Sequence, residues 1–289
     1  MSIFALYCQR FISKTTRYTY YDGFLHFNKQ KKEIVFKNIP MKSIEDLRRT
    51  AFDFVNERDW HKFHTPCNVL LALCGEIGEI AECFQWKGNI ESDISSMFTN
   101  EEVIHIGEEI SDVLIYLIRL ADIMRIDLGV SVLNKINSCE LDTSKLLIEP
   151  SQPWSNCSLA EMHAYAASKY SHKNPRFYCL QLIAVVGRIG SLFSSTHESE
   201  CMHSAKRAAA DMAEVAIFCT ALANVMGLEI GVITARKFER NRAKYPAQIV
   251  KGSSDKYTKY LKSSEMNTFT LCVLVTVGTL IGYLAAKRR

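Results

Sequence analysis

From Ser43 onward, apolar residues recur every three or four positions and few stretches alternate with a period of two. That is the signature of amphipathic helices rather than strands. SIEDLRRTAFDFVNERDW, Ser43 to Trp60, opens with Ser43 and Asp46 in capping-type spacing. A turn at His64-Thr65-Pro66 precedes a second helix, NVLLALCGEIGEIAECFQW, from Asn68 to Trp86. A polar loop from Lys87 to about Asn100 leads to a third, EEVIHIGEEISDVLIYLIRLADIMR, and LGVSVLNKINSC reads as a shorter fourth. The pattern predicts an all-α bundle.

Around Pro150 to Pro153 the composition turns to that of a linker, and then the pattern recurs. QLIAVVGRIGSLFSS (181–195) parallels LALCGEIGEIAECFQ, with Gly187 on Gly75 and Gly190 on Gly78. DMAEVAIFCTALANVMGLEIGVITARK (211–237) aligns without gaps on EISDVLIYLIRLADIMRIDLGVSVLNK (109–135). Matching glycines in matching helices predict two tandem helical-bundle repeats, over 41–148 and 149–262. The shared glycines read as a need of the fold.

The two ends differ from this body. MNTFTLCVLVTVGTLIGYLAA, 266–286, carries no charged residue and is followed by Lys287, Arg288 and Arg289. Its apolar heart is close to the ~20 residues that span a bilayer, so a C-terminal transmembrane anchor is expected, with the body on the cytosolic side. A short anchor with a basic tip suits the mitochondrial outer membrane or the endoplasmic reticulum. Residues 1–40 carry Arg10, Lys14 and Arg17 before the first acid, Asp22. They read either as an unstructured extension or as a weak organellar targeting segment. The formal charge of +4, with no dense basic stripe, gives no reason to expect a nucleic-acid partner. Ten scattered cysteines without a CxxC pair read as reduced core thiols.

The chemistry sits in CGEIGEIAECFQWKG. Glu76, Glu79 and Glu82 span about 120° of a helical wheel, opposite Ile77, Ile80 and Phe84. Alone, they describe a solvated acidic face. The third helix alters the balance. Glu109 and Asp112 share a face at i, i+3, and Asp112 is followed by the apolar run VLIYLI. A carboxylate on such a helix tends to burial and needs a partner; Arg119 is two turns away. Two helices that each present a carboxylate pair can converge on Mg²⁺, a hard cation that takes oxygen ligands.

ERDWHKFHTPCNVLLALCGEIGEIAECFQWK (57–87) and EEISDVLIYLIRLADIMRIDL (108–128) closely resemble the dCTP pyrophosphatase family, all-α nucleoside triphosphate pyrophosphohydrolases of the MazG-like superfamily. The resemblance covers roughly 44–136, with a weaker copy over about 158–246. It implies Mg²⁺ ligands at Glu76, Glu79, Glu109 and Asp112, and nucleotide contacts from Trp60, His61, Lys62, Phe63, His64, Trp86 and Tyr116. Trp60, Trp86 and Tyr116 suit stacking on a flat base, and His64 a hydrogen bond to a base or sugar edge. The implied reaction is dCTP and water to dCMP and diphosphate, with Glu79 chosen to orient the water. One departure is Ala51, where the family carries a contact histidine, which opens the base and sugar preference to another or modified nucleotide.

The second repeat drops the ligands: Glu76 aligns with Arg188 and Glu79 with Ser191, while Asp211 and Glu214 remain. Arg188 is expected to pair with Asp211 or Glu214 and to replace a metal there. The family resembles obligate oligomers, so a live and a degenerate copy read as an internal pseudo-dimer, further assembled into a homo-oligomer. The first repeat lacks the RNRAKYP segment that the second has at Arg240 to Pro246. Lys237, Asn241, Arg242 and Lys256 could therefore reach the phosphates of the first site, as could Lys135. A catalytically silent scaffold tethered to a membrane is the alternative from another class.

Overall fold

The computed structural model describes residues 41–88, 97–138, 146–149, 152–170, 174–193 and 198–253. The N-terminal extension, the expected anchor at 266–286 and Lys256 lie outside the described residues. Among those described there is no strand, only two isolated bridges. The helices are α1 (Ile44–Glu57), α2 (Pro66–Phe84), α3 (Asn100–Ile123), α4 (Leu128–Ile136), α5 (Leu159–Lys169), α6 (Pro175–Ser191), α7 (Glu198–Val225), α8 (Ile230–Lys244) and the single turn α9 (Ala247–Val250).

Local chemistry starts α1 to α6 and α8. Ser43 and Asp46 form a reciprocal capping box on α1, the Asp46 N–H donating to Ser43 Oγ at 3.1 Å. Thr99 with Glu102 does the same on α3, and Ser158 with Glu161 on α5. Pro66 and Pro175 occupy first turns of α2 and α6, where a missing N–H costs no bond. Asp127 and Glu229, at aligned positions, cap α4 and α8. Arg125 and Gly227, also aligned, take left-handed backbone at the ends of α3 and α7.

The packing is reciprocal between the two halves. α1 and α2 lie on α3; α5 and α6 lie on α7; α3 meets α7, and α2 meets α6. The fourth helix of each half crosses over: α4 packs on α7 and α8 packs on α3. All share one continuous core, from Ile44, Leu73 and Leu114 to Met212, Leu222 and Phe238. The helix starts also meet. Ser43 and Ser158 form an antiparallel bridge, Ile44 N–H donates to the Cys157 carbonyl at 3.0 Å, and Leu159 N–H donates to the Lys42 carbonyl at 2.8 Å. The chain between the halves is no loose tether. Trp154 is buried under the Arg48 guanidinium, and the Ser155 N–H donates to Asp127 at 2.8 Å. Among the described residues, 207–225 of α7 is long and apolar enough to cross a membrane, but it is mostly buried inside the fold as its central helix.

The glycines shared by α2 and α6 do not have the reason the sequence suggested. A methyl group at Gly75, Gly78, Gly187 or Gly190 would meet nothing within 4 Å. The packing of this chain therefore does not require them. The tight positions are Gly129 and Gly231, aligned with each other at the crossings. A Cβ there would press into the Ser155 and Met41 carbonyl oxygens, respectively. Gly129→Ala and Gly231→Ala are each expected to destabilise the chain by about 1–3 kcal/mol in urea unfolding. An unchanged midpoint in both variants would contradict the crossed packing.

Candidate metal and nucleotide site

α2 and α3 bring the two carboxylate motifs face to face. One oxygen from each of Glu76, Glu109 and Asp112 lies within 4.8 Å of the others. Glu109 is buried, while Glu76 and Asp112 are half-buried. Burial, then the neighbouring Asp112, Glu79 and Glu109, push the Glu76 carboxyl up to about 8. Burial likewise raises Glu109 to about 7, with Asp112 and Glu79 adding to the rise and Lys237 opposing it. Asp112 is also raised by burial, against the pull of Lys237 and Asn241. The group thus carries more negative charge than its surroundings compensate. Three converging oxygens with excess charge fit a hard divalent cation.

The second half supplies the cationic counterpart. Lys237 of α8 forms an ion pair with Asp112, and Asn241 Nδ2 donates to Asp112 Oδ1 at 3.5 Å. Both reach the cluster because α8 crosses onto α3. Glu79 is exposed at the edge, and its carboxylate adds to the rise of Glu109. It lines a cavity of about 560 Å³ with Trp86, Lys87, Phe98 and His105. Glu82 lies on the same rim and is exposed. His105 Nδ1 sits 3.1 Å from Glu109 Oε1, a contact the sequence reading missed. The Tyr116 hydroxyl is held well above its ordinary range by burial and by Glu76 and Asp112, which places it beside the cluster.

The aromatic residues do not gather at one place. Trp86 is 87% exposed on the cavity, whose lining includes neither Trp60 nor Tyr116. Trp60 is held by the tail of the second half: its Nε1–H donates to the Ser253 carbonyl at 2.8 Å and its ring meets Tyr245 edge-on at 5.5 Å. Arg58 anchors the same tail, donating to the Tyr245 carbonyl at 2.8 Å, while Gly252 N–H returns a bond to the Arg58 carbonyl at 2.8 Å. His61, Lys62 and Phe63 form a single 3₁₀ turn. Lys62 lies 3.5 Å from Asp59 and over the Phe63 ring. His61 and His64 both face Arg119 of α3. An arginine inside VLIYLIRLADI was itself a signal, because such a helix can bury it only with partners.

At the equivalent place in the second half the charges balance. Arg188 Nη2 donates to Asp211 Oδ1 at 2.6 Å and to Glu214 Oε2 at 2.7 Å, and Nε donates to Asp211 at 3.0 Å. Lys135 of α4 completes it, 2.9 Å from Glu214. Lys135 and Lys237 align, as do Glu214 and Asp112, so each half lends its lysine to the other's acid. The structure therefore sets Lys135 at the second cluster and Lys237 at the first. Arg242 pairs with Glu239 along α8.

Comparison with known proteins points the same way. The chain is similar to dCTP pyrophosphatase 1. Against the Homo sapiens protein it is 47% identical over 102 residues, 35% of this chain and 59% of that protein. Against the Mus musculus protein it is 45% identical over 103 residues, 36% of this chain and 60% of the relative. Against the Bos taurus protein it is 46% identical over 103 residues, 36% and 57%. The chain spans about three-fifths of the length of the dCTP pyrophosphatase 1 relatives it matches. No family model matches it.

The crowded carboxylates have a measurable consequence. Glu76 and Glu109 keep protons in the folded chain that the unfolded chain releases above the ordinary carboxylate range of about 4.3. Their contribution to metal-free stability therefore falls as pH rises from about 5 to about 8. In thermal melts without divalent cation, Glu76→Gln should flatten that fall and raise the melting temperature at pH 8 by a few degrees. Mg²⁺ should stabilise the unaltered chain and leave the variant nearly unmoved. A flat profile in the unaltered chain, or an equal Mg²⁺ response in both, would contradict the cluster.

Proposed function

We propose that the chain is a divalent-cation-dependent nucleoside triphosphate pyrophosphohydrolase that converts dCTP and water to dCMP and diphosphate. The observation that carries this reading is the convergence of Glu76, Glu109 and Asp112 on adjacent helices, with Glu79 at the rim. The similarity to dCTP pyrophosphatase 1 supports the substrate class. Glu76, Glu109 and Asp112, with Glu79, would hold Mg²⁺. When bound, Mg²⁺ supplies charge neutralisation for the triphosphate and for charge gathering at the α-phosphate.

The remaining chemistry belongs to the chain. Glu79 is exposed at the cavity and can accept a hydrogen bond from the attacking water, aligning it with the α-phosphorus. Lys237 and Asn241, which reach Asp112, would offer a cation and an amide to the phosphates. Trp86 offers an open aromatic face at the cavity for a base. Ala51 is buried in the core, so the contact its histidine counterpart makes in the family is missing here. Nucleotides related to dCTP are tested for that reason.

We also propose one active site per chain within a fused pseudo-dimer. The reciprocal crossing of α4 and α8 supports this, as does the paired Ser43–Ser158 bridge. The second half, with Arg188 between Asp211 and Glu214, holds no metal in this reading. Exposed Leu71, Leu180 and Ile183, beside the open glycine face of α2 and α6, support assembly into a homo-oligomer. The uncharged 266–286 stretch supports tethering to the cytosolic face of the mitochondrial outer membrane or the endoplasmic reticulum.

The test is diphosphate release from dCTP, dUTP and dTTP, with and without Mg²⁺. Turnover should require Mg²⁺ and favour dCTP. Glu76→Gln and Asp112→Asn should each lower kcat by on the order of 10²-fold or more. Asp211→Asn should stay within about twofold of the unaltered chain, since its partner Arg188 is far exposed. Absence of turnover with every nucleotide would leave the silent scaffold standing. Unaltered turnover by Glu76→Gln would reject the metal assignment.

A further inference from the structure

Arg119 lies on α3 among apolar residues and is 6% exposed. Each of its nitrogens is committed. Nε donates to His64 Nδ1 at 3.3 Å, and Nη2 lies 3.2 Å from His61 Nδ1. Nη1 pairs with Asp122, whose other oxygen accepts from Arg48 Nη1 at 3.4 Å. Arg48 is itself held by Glu45 at 2.7 Å. The network runs from α1 through α3 to His61 at the start of the 3₁₀ turn and His64 just after it.

A guanidinium has donors and no acceptor. A ring nitrogen that it touches must offer a lone pair, so Nδ1 of His64 and of His61 is unprotonated. The proton of each neutral ring is then on Nε2. His61 Nε2 lies 3.4 Å from Asn56 Oδ1, a separation compatible with a proton on Nε2. Nε2 of His64 makes no hydrogen bond within the described residues.

We infer that Arg119 is a positioning residue that fixes His64 as a neutral imidazole with its proton on Nε2, so that His64 presents a donor to an acceptor atom of the bound nucleotide. The ligand class is a pyrimidine nucleotide whose base edge carries a carbonyl oxygen or an unprotonated ring nitrogen. This rests on the proposed nucleotide-hydrolase reading for the ligand, but the tautomer itself does not. The charge environment agrees. Burial first, then Arg119 and His61, hold His64 down at about 4. His61 is lowered by burial and Arg119, against Asp122 and Asp59.

The experiment is a two-bond ¹H–¹⁵N correlation of the histidine rings in the full-length chain, with His64 assigned by His64→Gln. His64 should show a lone-pair Nδ1, a protonated Nε2 and no titration down to about pH 5. In Arg119→Met it should titrate near the ordinary value of about 6.5 and populate both tautomers above that pH. KM for dCTP in this variant, relative to the unaltered chain at each pH, should then rise as pH increases through about 6.5. That follows because the imidazolium keeps its Nε2 proton and the neutral ring is free to lose it. The kcat ratio should move less. Arg119→Lys, which keeps the charge, should restore part of the low-pH resistance of His64 to protonation. A protonated Nδ1 in the unaltered chain, or titration near pH 6.5, overturns the inference whether or not any nucleotide is hydrolysed. The stated tautomer in a chain that hydrolyses no nucleotide would overturn the placement at a nucleotide site and leave the lock itself intact.

Discussion

The ion pair of Lys237 with Asp112 depends on one topological fact, the passage of α8 from the second half onto α3 of the first. Much else follows from that crossing. Gly231 must be a glycine because the crossing brings α8 against the Met41 carbonyl. Asn241 reaches Asp112 from one turn further along the same helix. The chain beyond α8 then runs back over Trp60 and Arg58, closing the end of the first half with main-chain acceptors. The reciprocal crossing sends Lys135 to Glu214. A half separated at its linker would lose its fourth-helix partner, its lysine and part of its core together.

On this shared frame the two halves solve the same electrostatic problem in opposite ways. Asp211 and Glu214 meet the forked guanidinium of Arg188 and the Lys135 ammonium, so two acids face two cations. In the first half Glu76 stands in the arginine's place, and Glu76, Glu109 and Asp112 converge with Lys237 paired to Asp112. Exchanging an arginine for a glutamate at one position changes local charge by two units. Burial and mutual repulsion raise the carboxyls of Glu76 and Glu109 as a consequence of that exchange. Perturbed carboxyls of this kind cluster at functional sites.

Much of this was legible in the sequence where the information is local. Ser43 with Asp46 announced the start of α1, and period and length identified α2 and α3. The pairing of Glu76 with Glu109 and Asp112 followed from two spacings on adjacent helices. Arg188 was placed correctly because an arginine aligned with a missing ligand has few other ways to be satisfied. What was not legible is what depends on long-range packing. No periodicity says that α4 lies on α7 and α8 on α3, so Lys135 read as a phosphate contact of the first site, whereas it pairs with Glu214. Trp60 and Trp86 are both aromatic and near the motif, yet one is fastened by Ser253 and the other faces the cavity. The glycines of α2 and α6 looked like packing needs, but nothing within the chain presses on them. Arg119 was noticed only as too distant to serve the acids; its role with His61 and His64 emerges from the return of the 3₁₀ turn against α3.

The central claim is that this chain builds one metal site, in the first half, with help from the second. Crystals of the full-length chain soaked in Mn²⁺ and measured at the manganese edge test it directly. Anomalous density is predicted among Glu76, Glu109 and Asp112, and none between Asp211 and Glu214, where Arg188 should remain. Density at the second cluster, or none at the first, would contradict the account.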